Sequence, residues 1–316
     1  MSEHPHSAHA GHHHGSDDGH SHDHAPKDFG AAFAIGTALN IGFVGVEVVY
    51  GLLSNSMALV ADAGHNLGDV LGLLMAWIAS VLARRAPSQT HTYGLRRGTI
   101  LAALANAMLL LVTVGAIAVE GVRRLLHPEE VAGVTVMVVA ALGIVINGVT
   151  AWLFASGRKG DINLRAAFLH MAYDALVSLG VVIAGGIILK TGWTRLDPLV
   201  SLAVAGVILW GTWSLLRDSV GMAMDAVPTT VNLDQVSSFI ARQPGIATIH
   251  DLHIWPISTT ETALTCHCVM PGGHPGDRVL AQLCHELQDR FGIAHSTIQI
   301  EVDEGVACTL ESDHVV

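Results

Sequence analysis

The chain carries six apolar stretches, each long enough to cross the roughly 30 Å hydrocarbon layer of a bilayer, which takes about 20 helical residues. They run near Phe29 to Leu53, Met57 to Leu82, Thr99 to Leu125, Val131 to Ala155, Leu164 to Leu189 and Leu196 to Leu216. Backbone polar groups in lipid must be satisfied within their own segment, so each stretch is expected to be a helix. The gaps are short, which predicts a compact all-α bundle of six transmembrane helices over residues 29–220 rather than scattered anchors. Only 14% of residues are charged, against about 25% in soluble domains. The 33 glycines suit helices that approach closely where lipid removes the hydrophobic drive between them.

The flanks set an orientation. With both termini in the cytosol, one side holds Lys27, Arg84, Arg85, Arg96, Arg97, Arg158, Lys159, Arg165 and Arg217, and the other only Arg123, Arg124, Lys190 and Arg195. The positive-inside rule therefore predicts a multi-pass protein with cytoplasmic termini. Residues 1–28 lack a cleavable signal pattern and form a polar run with nine histidines before Pro26. Such a run builds no core, so a disordered cytosolic tail that captures metal weakly is expected.

After Pro228 the composition becomes that of a soluble domain. Periodicity and punctuation by Pro244-Gly245 and Pro271-Gly272-Gly273 predict a helix (Leu233 to Arg242), two strands (Ala247 to Trp255 and Thr262 to Met270), a helix (Gly276 to Phe291) and a strand (Ser296 to Val302). This is a small α+β domain of order αββαβ over residues 228–305, with a short tail at 306–316. From Asp225 onward acids outnumber bases by twelve to three, which argues against a nucleic-acid partner. The four cysteines, Cys266, Cys268, Cys284 and Cys308, form no disulfide framework and fit a reducing cytosol.

Ionisable groups inside the spans point to function, because an Asp at mid-membrane costs about 2.5 to 3.5 kcal/mol on insertion scales. In the second span, His65 and Asp69 are four apart and share one helical face; in the fifth, His170 and Asp174 repeat the spacing. One such pair is more often an internal hydrogen bond than a ligand set. Two pairs in separate spans predict that the faces meet around a divalent metal, with two imidazoles and two carboxylates closing a tetrahedral site. Zinc fits best, with cadmium and cobalt behind it. Asp62, one turn before His65, either adds a ligand or holds an imidazole in place. Glu47 and Asp197 either satisfy helix packing or line a water path.

A divalent metal on two carboxylates and two neutral imidazoles leaves the site near zero net charge. Its departure leaves two buried negative charges, so metal and protons compete for the same atoms. The expected function is metal/proton antiport by alternating access, with the site exposed to one side and then the other. Two rivals are a membrane metal sensor that binds without transporting and an intramembrane metalloenzyme. The second needs an open coordination position and a general base, and four ligands with no His-Glu-x-x-His motif argue against an enzyme.

Together these features resemble the cation diffusion facilitator family of metal/proton antiporters. Ser56 to His65 resembles the entry to that family's second helix, His250-Asp251-Leu252-His253-Ile254-Trp255 its C-terminal domain, and Thr297 to Glu301 that domain's last strand. The resemblance implies that His65, Asp69, His170 and Asp174 are the transport ligands, with zinc or cadmium favoured over manganese. It also implies a homodimer, a metallochaperone-like C-terminal domain and efflux from the cytosol, with the bacterial inner membrane as the expected location. Thr99 stands where many relatives carry a Glu, which leaves His91 as the one obvious ligand of a further metal site there.

In the C-terminal domain, His250, His267 and Glu301 are candidates for a regulatory metal site, within a run of histidines that includes His253, His285 and His295. Arg97 and Asp225, both at the expected cytoplasmic edge, are candidates for an ion pair tying the third helix to the soluble domain.

Overall fold

A computed structural model describes residues 29–155, 162–302, 308 and 310. The histidine-rich tail expected at 1–28 lies outside the described residues, as does most of the tail at 306–316. Six long helices come first: α1 (Phe29–Leu53), α2 (Met57–Ala83), α3 (Gly98–Leu126), α4 (Gly133–Ala155), α5 (Ile162–Thr191) and α6 (Leu196–Ala223). Among the described residues five of them, α2 to α6, are long and apolar enough to cross a membrane, while α1 contributes a shorter apolar stretch, Ala38–Leu53. Their outward faces are apolar, with Trp210 87% and Trp152 75% exposed. Exposed hydrocarbon on this scale fits lipid contact and not water.

The bundle is built from pairs. α5 packs chiefly on α4, α3 on α6, and α2 on α3 and α1. Phe43, Leu59, Val136 and Val181 fill one apolar core, and Met57, Val114, Ile117, Val204 and Ile208 another. α2 approaches α3 closely because Gly68 and Gly72 face Leu110 and Asn106, where any Cβ would overlap the opposing side chain.

The start of α2 is held from across the bundle. Ser56 caps it, and Asp197 at the start of α6 accepts hydrogen bonds from the Ser56 hydroxyl and from the Met57 and Ala58 amides. A buried carboxylate on the unpaired amides at a helix N-terminus is well placed against the helix dipole. Of the two roles open to Asp197, helix packing is the one it occupies.

The C-terminal domain follows the expected order: α7 (Leu233–Ala241), β1 (Thr248–Pro256), β2 (Thr262–Val269), α8 (Asp277–Phe291) and β3 (Ile293–Glu301). β2 is central, antiparallel to β1 and parallel to β3 across the α8 crossover. β3 begins at Ile293, three residues earlier than periodicity suggests, because Gly292 takes a left-handed conformation that ends α8 and Ile293 enters the core at once. Val236, Ile240, Leu264, Leu283, Leu287 and Ile293 form the core between one sheet face and both helices.

Candidate metal centres

The two His-x-x-x-Asp pairs converge. α2 presents His65 and Asp69 and α5 presents His170 and Asp174 to a cavity of ≈ 450 Å³ that Asp62, Asn106, Tyr173 and Thr212 also line. Asp69 Oδ2 lies 3.5 Å from His65 Nε2 and 3.3 Å from His170 Nε2, and His170 Nε2 lies 3.6 Å from Asp174 Oδ2. Tetrahedral ligands about 2.0 to 2.1 Å from zinc stand about 3.4 Å apart, close to these spacings. The donor atoms of His65, His170 and Asp174 all lie within 4.8 Å of one another, and Asp69 stands beside both imidazoles but outside that mutual set. Asp69 Oδ2 and Asp174 Oδ2 are buried and make no hydrogen bond. Buried acceptors left open in this way are uncommon and call for a cation or protons.

Beside this cluster lie two further buried acids, Asp62 and Glu47. Asp62 Oδ2 accepts from the Ser178 hydroxyl at 3.5 Å, and no described imidazole pairs with Asp62, so it holds neither histidine in place. Glu47 is fully buried, with one carboxylate oxygen accepting from Asn66 Nδ2 at 3.3 Å and the other unpartnered.

The C-terminal sheet builds the other cluster by register. His250 on β1 stands opposite His267 on β2, which stands opposite Gln299 on β3. Side chains alternate along a strand, so Glu301, two residues past Gln299, shares their face. His267 Nδ1 is 2.9 Å and His250 Nε2 is 3.4 Å from Glu301 Oε1. Alternation sends Cys266 and Cys268 to the opposite face, where both are fully buried in the core. Hydrogen bonding to Cys268 and burial push the Cys266 thiol up.

Two further residues shape this cluster. Asp251 sits at the β1 irregularity with a left-handed backbone (φ 50), and its oxygens reach His253 Nε2 at 2.8 Å and His267 Nε2 at 3.5 Å. Fixing His267 Nε2 leaves Nδ1 facing Glu301. Cys308, beyond β3, places its sulfur 3.6 Å from His267 Nδ1. Desolvation acts to raise the Glu301 carboxyl, but a hydrogen bond with Cys308 and the His250 imidazole hold it below the usual range.

At the edge of the bundle, Arg97 and Asp225 pair at 2.5 Å, and neighbouring contacts extend the junction. Arg96 pairs with Glu261 at 2.6 Å, the Thr259 amide donates to the Thr99 hydroxyl at 3.1 Å, and the Tyr93 and His295 rings meet edge to face at 5.6 Å. The Arg97–Asp225 pair is the one the sequence offers as a candidate; Glu261, Thr259 and His295 carry no local signal that would name their partners. His91 is exposed and hydrogen-bonds Thr90, outside both clusters of potential ligands among the described residues.

Residues 33–222 match the cation efflux transmembrane domain, and residues 228–303 match the cation efflux protein cytoplasmic domain. The chain belongs to the cation efflux family. This bears out the resemblance that the intramembrane motifs and the C-terminal strands carry. The chain is 38% identical to the zinc transporter ZitB of Escherichia coli, over 89% of this chain and 91% of that protein. It is 34% identical to a cadmium, cobalt and zinc/H(+)-K(+) antiporter of Bacillus velezensis, over 94% of this chain and 97% of that one. The metal-bound C-terminal domain of the CzcD transporter of Cupriavidus metallidurans is 40% identical, covering 22% of this chain and 99% of that one, with a TM-score of 0.21. The family is one of transporters, and its members' names favour transport over the metalloenzyme rival.

Proposed function

We propose that this cation efflux protein exports Zn2+, with Cd2+ and Co2+ as further substrates, by exchange against protons. α1 is the sixth span, both termini lie in the cytosol of a bacterial inner membrane, and two copies form the working dimer. His65, Asp69, His170 and Asp174 hold the ion in transit. The observation that carries this reading is the convergence of four donors, from two helices that pack mainly on other partners, on one cavity with open buried oxygens. With the metal gone, the two carboxylates face each other in a low dielectric and take protons, which are carried back as the site reopens. The C-terminal domain supplies a regulatory site at His250, His267 and Glu301, and the histidine-rich tail concentrates metal near the entrance.

The names of the relatives and the near-neutral arithmetic of the site support transport over a sensor that only binds. The test is zinc flux into proteoliposomes under several pH gradients, for the native chain and Asp174→Ala. Gradient-driven flux that collapses in the variant is expected. Flux indifferent to the gradient would sink antiport, and flux unchanged in the variant would remove the four-ligand assignment.

A further inference from the structure

We propose that the Cys308 thiol is the fourth ligand of the cytosolic cluster. It completes a site of two imidazoles, one carboxylate and one thiolate that retains thiophilic divalent cations, the zinc, cadmium and cobalt class, and rejects manganese and magnesium. The inference rests on the regulatory site proposed above and deepens it, because the three strand residues alone leave one tetrahedral position open.

Geometry carries the assignment. The donor atoms of His250, His267, Glu301 and Cys308 all lie within 4.8 Å of one another. Ligand distances of about 2.3 Å to sulfur and about 2.0 to 2.1 Å to nitrogen or oxygen, at tetrahedral angles, separate a sulfur from a nitrogen by about 3.6 Å and two lighter donors by about 3.4 Å. The sulfur of Cys308 is 3.6 Å from His267 Nδ1, and His250 Nε2 is 3.4 Å from Glu301 Oε1. An independent observation points the same way. The His250 side chain is only 10% exposed, and its Nε2, aimed into the cluster, makes no hydrogen bond. A buried imidazole nitrogen that makes no hydrogen bond and stands at ligand-to-ligand distance from a carboxylate oxygen is what a metal would occupy.

The choice of ion follows from the sulfur. Three nitrogen and oxygen donors discriminate weakly among divalent metals, whereas a thiolate favours the softer ones over manganese and magnesium. Binding converts Cys308 from thiol to thiolate and releases one proton to solvent, with no change in oxidation state. The other cysteines of the sheet cannot substitute, because Cys266 and Cys268 point into the core on the far face.

The experiment is a cobalt(II) titration of the full-length protein in detergent, read as thiolate-to-cobalt charge-transfer absorption, which imidazoles of the tail or the membrane site cannot produce. The native chain should show the band, saturating at one cobalt per chain, bleached by zinc or cadmium and not by excess manganese. Cys308→Ser should abolish the band and weaken the tight site about tenfold or more, with unchanged circular dichroism. His250→Ala should remove the tight site altogether. A band and affinity that survive in Cys308→Ser, or bleaching by manganese, would overturn the thiol ligand. Cobalt binding untouched by His250→Ala would overturn the regulatory site beneath it. Cys308→Ala, read the same way, decides the matter if the serine variant is misfolded.

Discussion

The two clusters use nearly the same donors on opposite kinds of scaffold. In the bundle, the proposed ligands are shared between α2 and α5, each of which packs mainly on other helices. In the C-terminal domain they stand on three adjacent strands locked in one hydrogen-bonded ladder. A site divided between loosely paired helices opens when one helix pair rocks against another, whereas a ladder keeps its donors at fixed spacing. The first arrangement suits an ion that must leave on the far side, the second an ion that is kept and sensed. The same contrast appears in the donors, since the proposed transit site has no thiol and the cluster of the C-terminal sheet has one within reach.

The largest expected effect separates the two. His170→Ala should lower zinc flux by about 100-fold or more, because losing a direct ligand exceeds the ten- to hundredfold loss typical of an outer residue. The same variant should still give the full cobalt–thiolate band. Loss of flux and band together would break the comparison and show one coupled site.

How much of this was legible in the sequence follows from where each residue's meaning lies. His65, Asp69, His170 and Asp174 stand out because ionisable groups in apolar spans demand a reason, and i, i+4 spacing fixes their shared faces. His250, His267 and Glu301 were visible as polar residues on strand patterns, but their common face depends on register, which no periodicity in one strand supplies. Asp251 was hidden because the β1 irregularity turns it toward His267 against simple alternation. Cys308 lies past the last strand, where there is no pattern to read. Asp197 and Glu261 were opaque for a different reason, since their partners, Ser56 and Arg96, are 141 and 165 residues away.

An intermediate effect sharpens the cytosolic half. Asp251→Asn keeps a residue type that tolerates the left-handed backbone but loses the charge that orients His267. Cobalt affinity of the thiolate-banded site should fall about tenfold, within the range for a residue that positions a ligand. Zinc flux at saturating metal should stay at the native rate. A flux defect as large as the binding defect would mean that occupancy of the ladder site gates transport directly.

The smallest effect concerns the junction between the two regions. Arg96 and Glu261 are about half and one third exposed, so their pair contributes at most about 1 kcal/mol and weakens with salt. Arg97 and Asp225 are similarly exposed. Yet the Arg96–Glu261 and Thr99–Thr259 contacts join the start of α3 directly to the turn between β1 and β2, the two strands that carry His250 and His267. In a double-mutant cycle with Arg96→Glu and Glu261→Arg, flux at limiting zinc should drop about two- to fivefold in each single variant and recover in the double one, at low salt only. Additive losses would leave the domain as a separate metal store. Recovery would make this turn the route by which a ladder that cannot move biases helices that must.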